Sequence, residues 1–140
     1  MAVTDFDTKV AVVVRDDLLA WQRLNVCAFL ISAVTGAAGA AAIGAVYVDA
    51  DGRTYLPMLR QPVLVFEADA AAIRKAHQRA LARDVAIAIY TAELFVTGND
   101  EDNRAAVAAV GTDSLDLVGM ALRAPHRDTD AVMRGMRRHP

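Results

Sequence analysis

Four short aliphatic runs constrain this chain most, because each is too brief for a helix and too apolar to face water. The first, Lys9 to Arg15 (KVAVVVR), has five consecutive apolar residues and no alternation. It reads as a strand buried on both faces. Val63 to Glu67 (VLVFE), Val85 to Tyr90 (VAIAIY) and Leu115 to Leu122 (LDLVGMAL) read as three more strands. Strands covered on two sides need helices on two sides, and the intervening segments supply them.

Asp16 and Asp17 are placed to cap a first helix, Leu18 to Thr35, that stops near Gly36. Leu24, Cys27, Ile31 and Val34 form one apolar stripe on it. Gln22, Asn25, Phe29 and Ser32 lie along another face. Gly36 to Gly44 is a small-residue loop, followed by a β-hairpin over Val46 to Tyr55. A two-residue Asp51-Gly52 turn would set Val48 opposite Tyr55 and Tyr47 opposite Leu56. Asp69 caps a second helix, Ala70 to Arg83. Thr91 is placed to cap a turn through Phe95, and Thr97-x-x-Asp100 has capping-box spacing. A helix over Asn99 to Val110 ends at Gly111. A last helix starts at Asp128 or Thr129 and reaches Arg138. The organisation is an N-terminal arm (1–8) and one α/β domain (9–138), a length that supports a core without staples.

With a single cysteine, Cys27, no intramolecular disulfide forms, which fits a reducing, cytoplasmic setting. The N-terminal arm carries Asp5 and Asp7 and no apolar run, unlike a secretory leader. Val26 to Gly44 reads as a helix plus a loop, so no membrane span is expected. Net charge is −2, which argues against a nucleic-acid partner despite the arginines near the C-terminus.

Polar groups on apolar elements mark the candidate site. Asn25 offers an amide to a ligand carbonyl or amide, or is a satisfied core residue. Thr91 and Glu93 follow the third strand, where α/β sheets place ligands. The candidate ligand-binding set is therefore Gln22, Asn25, Thr91 and Glu93, walled by Trp21, Phe29 and Phe95. The run Asn99 to Asn103 (NDEDN) lacks the glycine and the closing glutamate of a calcium loop. It reads as an acidic first helical turn, with Arg104 pairing to Asp100. Cys27 has no catalytic motif around it, His77 reads as solvated, and His139 reads as a frayed end. No metal and no cofactor are expected.

VVVRDDL (Val12 to Leu18) followed directly by a helix resembles the opening of peptidyl-tRNA hydrolase type II. The strand and helix order from Lys9 to Arg138 is similar too. WQRLNVCAFL, YLPM, QPVLVF, YTAELF and NDEDNRAAV resemble segments of an uncharacterised bacterial family, the domain-of-unknown-function-two-thousand family. The resemblance implies a layered, mixed four-stranded sheet with flanking helices, of the peptidyl-tRNA hydrolase type II kind, plus an inserted hairpin. The hydrolase's helical lysine and glutamine fall on Leu24 and Ala28, and its acidic residue falls near Thr91. The resemblance thus implies a scaffold more than an activity. Three functions are carried forward: a small-molecule pocket between the first helix and the loop after the third strand; a peptidyl-tRNA hydrolase-like esterase; and a non-catalytic homodimer or partner-binding protein using Tyr47, Tyr55, Leu56 and Met58.

Overall fold

The computed structural model describes residues 6–140. In chain order the elements are β1 (Thr8–Arg15), α1 (Ala20–Ala38), β2 (Tyr47–Val48), β3 (Thr54–Tyr55), β4 (Val63–Ala68) and α2 (Ala70–Ala82). Then come β5 (Ile87–Thr91), α3 (Asp100–Ala108), β6 (Leu117–Pro125), α4 (His126–Val132) and β7 (Arg137–Arg138). The expected arm over 1–8 lies mostly outside the described residues.

One sheet runs β5-β6-β1-β4-β7, and β2 with β3 forms a separate hairpin. β1 and β4 are parallel, and the other pairings in the large sheet are antiparallel. β1 is central, which explains its unbroken apolar run. Val10, Val12 and Val14 face α1, and Ala11 and Val13 face the α2 and α4 side; all five are fully buried. The fold is a mixed α/β sheet with helices on both faces.

α1 packs directly onto a glycine of β6. A Cβ on Gly119 would stand 2.5 Å from Val26 Cγ1 and 3.0 Å from Leu30 Cδ1. Val26, Leu30 and Val34 are the buried stripe of α1. The stretch Ala20–Ala42 is long and apolar enough to cross a membrane by length and composition, which corrects the expectation of no such segment. Here it lies along the sheet.

The sheet has five strands rather than the expected four. The last helix ends at Val132 instead of reaching Arg138. Gly135 takes a left-handed φ of 80°, and the Met136 N–H donates to Met133 O at 3.2 Å. The chain then turns back onto the open edge of β4, pairing Arg137 with Glu67 and Arg138 with Phe66. Edge pairing and a guanidinium 5.4 Å above the Phe66 ring outweigh the helical preference of these residues.

Other boundaries moved for local reasons. α1 runs through Gly36 and stops at Gly39, which has φ +71°. Asp17 does not cap α1, because its carboxylate binds Arg15 Nε at 2.7 Å. Gln22 Oε1 instead accepts from the Leu19 N–H at 2.9 Å. The hairpin pairs Tyr47 with Tyr55 and Val48 with Thr54, one residue out from the expected register. Asp49 causes this shift: its backbone pairs with Arg53 and its carboxylate accepts from the Asp51 and Arg53 N–H groups, each bond 3.0 Å. The loop is therefore Ala50-Asp51-Gly52, with Gly52 at φ +83°. Asn99, not Thr97, caps α3, accepting from the Asp102 N–H at 2.8 Å.

His77 is buried rather than solvated. Burial and the nearby Arg74 charge push its pKa down, with Asp113 opposing them. The unfolded chain therefore takes up this proton more readily, and the contribution of neutral His77 is present above about pH 6.5 and lost below it. Urea midpoints should fall as pH drops from 7 toward 5, and His77→Gln should flatten that dependence. Separately, Gly119→Ala should cost roughly 1–3 kcal/mol in urea denaturation by forcing α1 off β6.

Candidate functional site

Trp21, Asn25 and Phe29 follow one another at four-residue spacing, so they share one side of α1. That side faces Tyr90 at the end of β5 and Phe95 in the 3₁₀ turn Ala92–Phe95. The rings form a continuous series. Trp21 meets Phe95 edge-on at 5.8 Å, Phe95 meets Tyr90 at 5.1 Å, and Tyr90 meets Phe29 at 6.0 Å.

Two adjoining cavities open along this aromatic wall. One, about 360 Å³, is lined by Trp21, Asn25, Phe95, Thr97 and Asn99 among others. The second, about 570 Å³, runs past Ser32, Ala88, Tyr90, Arg104 and Val107. They share Phe29, Leu94, Asp100 and Asn103, so they form one groove between α1, β5 and α3. Each volume falls in the range of small-molecule sites, roughly 300–1,000 Å³.

The polar centre of the groove is a pair. Asn25 Nδ2 donates to the Tyr90 hydroxyl across 3.4 Å. Burial raises the Tyr90 pKa, with the Asn25 bond pulling the other way, so the phenol keeps its proton. Because the Tyr90 oxygen accepts from Asn25, its own O–H is free to donate. Asn25 Oδ1 has no partner among the described residues and is free to accept. A donor and an acceptor thus stand side by side on an aromatic wall.

Residues 8–140 match the family described as Protein of unknown function (DUF2000). The chain belongs to the DUF2000 family. It is similar to the solved structure of a protein of unknown function from Agrobacterium tumefaciens strain C58, at 43% identity and a TM-score of 0.93. That match covers 97% of this chain and 100% of the other. No curated protein matches the sequence.

Within this DUF2000 fold the four sequence candidates separate. Asn25 lies in the groove beside Trp21, Phe29 and Phe95. Gln22 is occupied at the start of α1. Thr91 is 1% exposed, and its Oγ1 has no hydrogen-bond partner. It follows Tyr90 across a register shift against β6, and it lines neither cavity of the groove. Glu93 is exposed and lines neither cavity. Tyr90 takes the place expected of Thr91. Strand alternation carried the signal: Ala88 and Tyr90 share the face toward α1, while Ile87 and Ile89 share the other. Cys27 is half-buried, and burial raises its thiol pKa, which leaves it a poor nucleophile.

A second polar cluster, also missed in the sequence, closes the top of β4. The Glu67 side chain is 5% exposed. Arg23 Nη1 donates to Glu67 Oε2 at 3.2 Å, and Arg137 meets Oε1. The His139 N–H donates to Val65 O at 2.9 Å, and His139 Nε2 accepts from Arg23 Nη1 at 2.9 Å. His139 is therefore fastened, not frayed. Glu67→Ala should free this C-terminal segment. Amide exchange at His139 should accelerate at least tenfold, and trypsin should cut after Arg137 sooner than in the parent.

Proposed function

We propose that the groove binds a small planar heterocycle carrying a lactam edge, a ring carbonyl next to a ring N–H. The single observation that carries this reading is the Asn25–Tyr90 pair at the centre of the aromatic series. The free Tyr90 O–H matches the ring carbonyl, and the free Asn25 Oδ1 matches the ring N–H. At 3.4 Å the pair is long, so a ligand inserting against it gives up little. The rings of Trp21, Phe29 and Phe95 supply faces and edges for a flat partner. Arg104 and Asn103, at the α3 end, line the groove too, Arg104 paired with Asp100 and Asn103 accepting from Thr97.

A fold likeness to peptidyl-tRNA hydrolase type II belongs to this proposal too, resting on VVVRDDL and the strand–helix order. Its chemistry has less support. Leu24 and Ala28, at the positions of the relative's lysine and glutamine, are apolar and exposed on α1.

The test is a thermal-shift and NMR titration with nucleobases, flavins and pterins. At least one lactam heterocycle should bind saturably. Asn25→Ala and Tyr90→Phe should each weaken it roughly 10-fold, the scale of one neutral hydrogen bond. Binding that survives both substitutions, or no binding by any lactam ring, rejects the reading.

A further inference from the structure

From Leu24 to Val48 the chain has no charged side chain. The sheet buries only the Val26, Leu30 and Val34 stripe of α1, and on the outer face Leu24 is 73% exposed. Beyond the end of α1 the β2–β3 hairpin stands as an arm, exposed at every residue from 45 to 56. An isolated two-stranded hairpin is marginal in water. This one carries Tyr47 and Val48 against Tyr55, with Leu56 86% exposed. Arm and outer helix face are two uncovered apolar surfaces on one molecule.

We infer that these two surfaces form a twofold interface with a second copy of this chain. The area fits. Ten large exposed apolar side chains lie between Leu19 and Met58, two of which, Trp21 and Phe29, line the groove. With the two tyrosines at roughly 200 Å² and the smaller aliphatic side chains at about 150 Å², exposed by 49–86%, the rest present on the order of 800 Å². A standard interface buries about 800 Å² per partner.

The placement fits as well. The arm leaves the domain at the C-terminal end of α1, and Leu24 sits about 20 Å away near the other end. A twofold axis that sets two α1 helices antiparallel brings each arm beside the other copy's Leu24, so both surfaces are covered at once. A lipid surface fits less well. Membrane-surface helices carry Lys and Arg along their polar face. The only basic residue of α1, Arg23, is engaged by Glu67 and by Asp16 O, and the arm tip presents Asp49 and Asp51 with a single arginine, Arg53.

Sedimentation velocity of the full chain at tens of micromolar tests this. The expected species has twice the 15.0 kDa chain mass. Leu56→Asp and Leu24→Asp, both at highly exposed positions, should each give a monomer with an unchanged far-UV circular dichroism spectrum. Each should raise the dimer dissociation constant about 30-fold or more, the scale of a lost hot-spot residue. Asn25→Ala should stay dimeric, which separates this result from the fate of the groove reading. A monomeric parent chain, or a dimer untouched by both substitutions, overturns the inference. So does co-sedimentation of a monomer with phosphatidylglycerol vesicles, which assigns the patch to membrane instead.

Discussion

The contact between Gly119 and the Val26–Leu30 stretch of α1 sets the geometry of everything on that side of the sheet. A helix resting on a sheet usually stands off by the depth of a side-chain layer. Here one position of β6 has no side chain, and two aliphatic residues drop into the space. The same glycine is the cross-strand partner of Tyr90 on β5 and of Val14 on β1. Beside it the Tyr90 ring lies against Phe29 and Phe95. The close seat of α1 follows from one missing Cβ, and Tyr90 is paired with that same glycine. The groove lies between those two elements, where the small Ala33 and Ala88 leave room along its lining.

The C-terminal end of the chain solves a different problem. β4 would otherwise be an open edge, with unpaired backbone groups beside a buried Glu67. Two residues of β7 pair with that edge, and Arg137 and Arg23 each meet one oxygen of the carboxylate. Neither part stands well alone. A two-residue strand holds little, and a buried carboxylate without cations is costly. Together they fix the tail to the N-terminal turn of α1, because Arg23 also donates to Leu18 O at 3.1 Å.

These features differ in how far the sequence exposes them. The run Lys9 to Arg15 is legible as a doubly buried strand because neither face tolerates a polar residue. The cap at Asp69 and the acidic start of α3 are legible because capping is local chemistry. β7 is not legible: Arg137-Arg138 has no strand signature, and its pairing depends on an edge seventy residues earlier in the chain. The stop at Gly39 instead of Gly36 is equally hidden, since either glycine ends a helix and only the tertiary path selects one. In the groove, Asn25 with Trp21 and Phe29 is legible from helical spacing. Tyr90 is harder, because its role needs the register against Gly119, which is a property of the pair of strands.

The hydropathy of α1 now has a structural account. A helix that rests on a sheet needs one apolar stripe, and the opposite side is normally charged. α1 has a stripe for the sheet in Val26, Leu30 and Val34, and a second for the groove in Trp21, Asn25 and Phe29. Its third side, with Leu24 and Ala28, is the outer face. Two of these three sides already exclude charge for reasons internal to the fold. The outer side has no internal reason to be uncharged. A surface helix free in water would gain solubility from a single lysine there, at no packing cost. The absence of charge on that side, continued into an arm exposed from residue 45 to 56, is the observation on which the proposed twofold interface rests.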